Sequence, residues 1–311
     1  MSKIKTVFIV GPTASGKTAL SIELAKSFGG EIVSADSMQI YKGIHIASAA
    51  PDEDEKQGIK HHLLEFLSTY EQYSVADYVA SAKKVIEDIN NRGKLPIIVG
   101  GTGLYISSLL DNTEFLETET DYDLRKELEE LYDTIGGEEM LKKLAEFDEE
   151  SAKKLHSNDK KRIVRAFEVY RLAGKTKTEQ NELSHKIKSN LNPLILGITY
   201  NDRELLYNRI NRRVDIMCQN GLLEEAEKTY KSGNNKGGFQ AIGHKELYEY
   251  FDNECSLEQA KENLKQQTRR YAKRQLTWFR RNENINWLYQ DETDNILDKA
   301  RTLVENFLKE E

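Results

Sequence analysis

The eight residues Gly11-Pro12-Thr13-Ala14-Ser15-Gly16-Lys17-Thr18 constrain this chain more than any other stretch. They satisfy the phosphate-loop pattern G-x-x-x-x-G-K-[ST], and their flanks supply the setting that the pattern needs. Thr6 to Val10 is a short apolar, β-rich run, and Leu20, Leu24 and Phe28 form one helical stripe after the loop. Strand, glycine loop and helix together turn backbone N–H groups inward around phosphate oxygens, and the helix N-terminus adds partial positive charge. Gly11, Thr13, Ala14, Ser15 and Gly16 are the expected diphosphate cradle, with Lys17 reaching the outer phosphate and the Thr18 hydroxyl ligating Mg²⁺. ATP hydrolysis, phosphoryl transfer and loss of diphosphate from another substrate all suit such a cradle.

The rest of the chain has to choose among them. Its 311 residues suit one large domain or two modest ones. Charged residues make up 31% and the formal net charge is −7, with no apolar run of membrane-spanning length. Met1 to Lys5 lacks the apolar segment of a secretory signal. Cys218 and Cys255 have no C-x-x-C spacing and read as reduced thiols, so the expected setting is cytoplasmic. Nothing demands more than a monomer.

After Gly29-Gly30, Glu31 to Ser34 reads as a second strand ending at Asp36-Ser37-Met38-Gln39-Ile40-Tyr41-Lys42-Gly43. A carboxylate at that edge lies where α/β folds hold ligands, and Asp36 could be a Mg²⁺ partner, a general base or a turn-forming residue. Residues 50–60 read as a charged surface loop and His61-His62 as a loop pair. Ser74 and Asp77 make a capping box for a helix carrying Val75, Val79, Ala82, Ile86 and Ile89 on one face. Leu95 to Val99 is a buried parallel strand, followed by Gly100-Gly101-Thr102. An acid is absent where a hydrolytic P-loop enzyme would place one, which weakens the hydrolase reading.

From about residue 113 to 190 helical patterns follow an acidic stretch at Glu114–Asp123, without a strand-like run. The expected organisation is a P-loop α/β core with a parallel sheet (1–112 and 191–311) split by a mostly helical insertion (113–190). Basic residues crowd the insertion's second half, Lys160, Lys161, Arg162 and Arg165 among them. Leu194 to Ile198 resumes the sheet, and Asp202 caps a helix on which Arg209 and Arg213, four apart, can converge on a phosphate. Gly221 is expected to end that helix, and Gly233–Gly238 to form a flexible connection. A last long helix, capped by Ser256 and Gln259, carries Lys273, Arg274, Arg280 and Arg281 among Tyr271, Trp278 and Phe279. Basic residues interleaved with aromatics suit a nucleic-acid backbone and an unstacked base.

With these segments in place the chain resembles the tRNA dimethylallyltransferase family nearly end to end. Besides the phosphate loop and Asp36–Gly43, the carriers are Val99-Gly100-Gly101-Thr102-Gly103-Leu104-Tyr105 and Asn158-Asp159-Lys160-Lys161-Arg162-Ile163-Val164-Arg165-Ala166. Gln240-Ala241-Ile242-Gly243 and Lys273-Arg274-Gln275-Leu276-Thr277-Trp278-Phe279-Arg280 complete the set. The resemblance implies transfer of a dimethylallyl group from dimethylallyl diphosphate to N6 of the adenosine 3′ of the tRNA anticodon. It implies Asp36 as the base, Thr102 between the two substrates, and Arg213 and Arg209 on the leaving diphosphate with Mg²⁺. Asp36, Ser37, Met38 and Gln39 would line the pocket of a flipped-out base. Arg125, Lys161, Arg162, Ile163, Val164 and Arg165, with Gln240, Gly243, Lys273, Arg274, Gln275, Trp278 and Arg280, would contact the tRNA. The chain departs from the family in Ala47-Ser48-Ala49-Ala50-Pro51, which lacks a lysine, and in His244, where a tyrosine is common. A P-loop kinase and a noncatalytic RNA-binding module are the rivals. The kinase leaves the basic segments without a purpose, and the module leaves the phosphate loop without one.

Overall fold

The structure, a computed structural model, describes residues 3–113, 121–186, 189–233, 237–292 and 295–310. The chain divides into two compact units, Met1–Leu110 with Asn190–Glu311, and Asp111–Ser189. In the first, six strands build one parallel sheet: β1 (Ile4–Val10), β2 (Gly30–Ser34), β3 (His61–His62), β4 (Leu95–Gly100), β5 (Leu191–Thr199) and β6 (Ile285–Tyr289). Their order is β3-β2-β4-β1-β5-β6, with Val7 of β1 opposite Ile97 on β4 and Leu194 on β5. Thr6 through Val10 are all buried, the uninterrupted burial of a strand covered on both faces.

Helix Lys17–Phe28 starts at Gly16 and stops at Gly29, both left-handed, and the Gly29 N–H closes on the Ala25 carbonyl. Helix Val75–Asn91 begins at the anticipated Ser74–Asp77 capping box and buries Tyr78, Val79, Ala82, Ile86 and Ile89. Because the strands are parallel, the loops that leave β1, β2 and β4 emerge at one edge of the sheet. The phosphate loop, Asp36 and Thr102 therefore share that edge.

Several elements differ from expectation. Residues 50–60 contain a helical turn, Glu53–Lys56, closed by an Asp52–Glu55 capping box. His61 and His62 form an edge strand against Ile32 and Val33, and His62 Nε2 meets the buried Glu31 carboxylate at 2.7 Å. Gly221 opens helix Leu222–Lys231 as its left-handed N-cap, one residue after the preceding helix has ended at Asn220. Beyond Arg281, where no element was anticipated, β6 and helix Ile296–Lys309 complete the sheet. Ala300, Val304 and Phe307 join the core formed with Ile22, Leu24 and Ile198.

The second unit contains helices Tyr122–Ile135, Gly137–Ala145, Glu149–Lys154, Lys160–Ala173 and Lys177–Lys186, and no strand among the described residues. It has its own core of Leu128, Met140, Leu144, Ile163, Val164 and Phe167. The buried Asp148 carboxylate accepts from Ser151 and Thr178, joining two of its helices. Most of the acidic stretch at 114–123 and the centre of the 233–238 connection lie outside the described residues.

Candidate active site

The glycine loop has the conformation its sequence demands. Gly11 stands at φ 147°, and a Cβ there would lie 2.2 Å from the Ile198 carbonyl oxygen, so no larger residue fits. Ser15 is fully buried, and its Oγ has no hydrogen-bond partner among the described residues. An unmet buried hydroxyl in this loop fits a phosphate oxygen. Lys17 Nζ donates to the Pro12 carbonyl at 2.7 Å. Burial, reinforced by the Arg213 guanidinium and opposed by Asp36, pushes the Lys17 ammonium down to about 7. Arg209 Nε donates to the Ala14 carbonyl at 3.1 Å, and Arg213 Nη1 to Thr13 Oγ1 at 3.3 Å. The i,i+4 spacing thus brings both guanidiniums to the loop, where two fixed cations surround the place of a polyanion.

Across the edge, Asp36 Oδ1 accepts the Met38 N–H at 2.9 Å, which leaves its other oxygen for chemistry. Thr102 Oγ1 accepts the Ser37 N–H at 2.9 Å, and the Thr102 N–H reaches the Ala35 carbonyl at 3.2 Å. A cavity of about 320 Å³ is lined by Lys17, Thr18, Asp36, Gln39, Arg213 and Tyr271, so cations and carboxylate face one space. A second, wider cavity of about 690 Å³ opens onto Lys17, Thr18, Arg209 and Arg213 as well. The two cavities share Ala14, Lys17, Thr18 and Arg213, so the loop borders both. Among the described residues no cluster of three or more His, Cys, Asp or Glu could hold a metal by itself. A cation here would need phosphate oxygens to complete its shell around the Thr18 hydroxyl.

The helix Leu257–Phe279 contributes more to this edge than its basic sequence indicates. Gln275, expected to touch RNA, is 5% exposed; its Oε1 accepts the Thr13 N–H at 2.9 Å and its Nε2 donates to the Gly101 carbonyl at 2.9 Å. Trp278 Nε1 donates to Ser107 Oγ at 2.9 Å. Tyr271, absent from the expected site, lines the cavity near Thr102 and Gln275; burial raises its phenol well above the ordinary range. Residues 271, 275 and 278 fall on one helical face (i, i+4, i+7), a spacing that could have marked them as inward-facing. Gln39, lining the same cavity, donates to the Ala49 carbonyl at 3.1 Å and accepts from Ser34 Oγ at 3.1 Å.

The two departures from the family pattern meet in space. Glu225 accepts the Ile46 and Ala47 N–H groups at 2.9 Å each, while His244, fully buried, bonds it through Nε2 at 2.9 Å. Gly243 is buried, and its N–H is taken by Glu246. Gln240 lines the smaller cavity at an exposed position. Lys273, Arg274 and Arg280 are exposed, with the Arg274 guanidinium 5.7 Å from the centre of the Tyr271 ring.

In the second unit, Lys161, Arg162 and Arg165 are exposed on helix Lys160–Ala173. Ile163 and Val164 are not available in the way expected: at 0% and 3% exposure they belong to the core, because the same helix must bury its other face. Arg125 and Arg165 both pair with Glu168, itself 2% exposed, so their charges are partly spent inside the unit.

The chain is similar to known proteins along nearly its whole length. The IPP transferase family model matches residues 39–282. The tRNA dimethylallyltransferase of Acetivibrio thermocellus is 50% identical over 288 residues, covering 92% of each chain. A tRNA delta(2)-isopentenylpyrophosphate transferase structure from Staphylococcus epidermidis is 42% identical, with a TM-score of 0.71 over 98% of this chain and 99% of that one. A eukaryotic dimethylallyltransferase structure, described as acting on tRNA, is 30% identical; it superimposes with a TM-score of 0.83 over 98% of this chain and 79% of that one. By sequence and by fold, the chain belongs to the IPP transferase family, the tRNA dimethylallyltransferases.

Proposed function

We propose that the chain transfers a dimethylallyl group from dimethylallyl diphosphate to N6 of the adenosine that follows the anticodon in tRNA. The carrying observation is that Lys17, Arg213 and Asp36 line one and the same cavity. An exocyclic adenine amine is a weak nucleophile, since its lone pair is shared with the ring. As N6 attacks the allylic C1, the C1–O bond breaks, diphosphate departs, and the amine proton passes to Asp36. Loop amides, Lys17, Arg209 and Arg213 hold the negative charge that develops on the leaving group. Mg²⁺ bound by diphosphate and the Thr18 hydroxyl would add Lewis-acid stabilisation of the same charge.

A kinase of the same core is not favoured. The turn after β4 is Gly101-Thr102-Gly103, with no acid to organise a water or a second metal. Exposed Lys161, Arg162 and Arg165 in one unit and Lys273, Arg274 and Arg280 in the other suit an RNA backbone, the acceptor a kinase would not need. A tRNA acceptor fits a cytoplasmic setting. The test is a transfer assay with Mg²⁺, radiolabelled dimethylallyl diphosphate and an anticodon stem-loop, with ATP in a parallel reaction. Label should enter the RNA and vanish when the target adenosine becomes guanosine. Phosphate release from ATP without labelled RNA would overturn the assignment.

A further inference from the structure

The turn after β4 has a purpose other than chemistry of its own. A Cβ on Gly101 would lie 2.1 Å from Gln275 Nε2, and one on Gly103 would lie 2.4 Å from Trp278 Cδ1. The glycines clear a path for one face of helix Leu257–Phe279. From that face Gln275 makes two bonds at once. Its carbonyl oxygen takes the Thr13 N–H of the phosphate loop, and its amide nitrogen gives to the Gly101 carbonyl beside Thr102. Tyr271, one turn earlier on the same face, lines the cavity beside Gln275 with its hydroxyl near Thr102. Thr102 in turn holds the Ser37 N–H next to Asp36. The chain of contacts therefore runs from the diphosphate cradle, through one buried amide, to the edge that presents the carboxylate.

We propose that Gln275, seconded by Tyr271, is a positioning residue that sets the gap between the phosphate loop and the Asp36–Thr102 edge. The proposal rests on the prenyl-transfer assignment above. Transfer requires the amine nitrogen and the allylic carbon within about 3–3.5 Å, and a misplacement of about 1 Å costs roughly 10²-fold in rate. A side chain bonded to both banks of the cleft governs that distance through the groups it holds. Only glutamine has the length and the paired acceptor and donor for this. Glutamate loses the donor, and asparagine is shorter by about 1.5 Å. With each amide end bonded within the protein and 5% exposure, Gln275 is held as an internal strut more than as a surface contact for RNA.

The experiment is steady-state transfer by Gln275→Asn and Tyr271→Phe, beside direct binding of the stem-loop and of inorganic diphosphate. For Gln275→Asn, kcat should fall about 10²-fold, while both dissociation constants stay within about twofold of wild type. Tyr271→Phe, which keeps the ring and loses one hydroxyl, should lower kcat about fivefold with the same unchanged binding. Weakened RNA binding with intact kcat would make Gln275 an RNA contact and overturn the proposal. Weakened diphosphate binding that accounts for the whole loss would reduce it to loop integrity, with the same effect. Should Gln275→Asn fail to fold, a Tyr271→Phe variant of wild-type kcat would overturn the proposal by itself. A wild-type protein that transfers nothing would refute the transferase assignment, and the two failures are thereby told apart.

Discussion

Binding of the donor diphosphate should draw a proton from solution, and Lys17 is the group that takes it. Burial holds its ammonium down to about 7, with Arg213 lowering it further and Asp36 resisting. At pH 8 such a lysine is protonated in only about one molecule in ten. A diphosphate seated in the loop brings at least two negative charges to its side and restores the charged form. The uptake at pH 8 is then about 0.8–0.9 proton per donor bound, falling to about 0.1 at pH 6, where Lys17 is already charged. Calorimetric titration of dimethylallyl diphosphate, without RNA, in two buffers of different ionisation enthalpy gives the number directly. At pH 8 the ligand's own phosphates are fully ionised and do not obscure it. Lys17→Arg, which cannot deprotonate, should abolish the uptake while retaining part of the affinity. An uptake below about 0.3 in the wild type, or an equal uptake in Lys17→Arg, would refute the reasoning. The same shift acts on stability with a definite sign. The unfolded chain binds more protons than the folded one between about 7 and the ordinary lysine value of 10.5, so this group's penalty is complete below that window and fades as pH rises through it.

Other perturbations follow from the same contacts. Asp36→Asn should reduce kcat by roughly 10²-fold or more with RNA and donor affinity unchanged, and near-wild-type turnover would remove Asp36 as the base. Reversing Arg162 and Arg165 to glutamate should weaken stem-loop binding and make its logarithmic salt dependence shallower by roughly one to two units; an unchanged slope would leave those arginines as a solvated face. Glu31 is 2% exposed and bonded to both Arg92 nitrogens, Lys94 and His62, which holds its carboxyl far below the usual range. Glu31→Gln should cost about 3 kcal/mol at pH 7, the low end for a buried pair because Arg92 and Lys94 remain 34% and 48% exposed. A depressed carboxylate contributes its stability above its unfolded value and loses it as pH falls toward the folded one. The wild type's advantage over Glu31→Gln in thermal midpoint should therefore shrink below about pH 4.

Much of the fold was legible because local patterns and tertiary structure agree. The phosphate loop fixes its own strand and helix, the Ser74 and Ser256 boxes start helices where they stand, and the Arg209–Arg213 spacing brings two cations to the loop. Legibility ended where one segment serves two surfaces. Helix Leu257–Phe279 is so basic that its sequence points Gln275 and Trp278 at RNA, and it names Tyr271 only as one of the interleaved aromatics. Ile163 and Val164 stood inside a matching motif, yet a motif does not say which way a helical residue points; 3.6-residue periodicity does. His61-His62 became a strand because Glu31, a distant neighbour in sequence, offered a buried carboxylate. The closing strand Ile285–Tyr289 was too short to separate from a loop until β5 was there to pair with it.

The insertion also has a consequence for how the chain is made. β1, the centre of the sheet, pairs residue by residue with β5, beginning with Ile4 opposite Leu191. On a ribosome adding roughly 5–20 residues per second, β1 waits roughly 10–40 s for that partner. The whole helical unit, Asp111–Ser189, emerges in the interval with a core of its own. It can settle before the sheet closes, while the first half of the sheet stands with one flank open. Synthesis order thus makes the insertion the early folder and the phosphate-binding core the late one, although the loop itself is among the first residues translated.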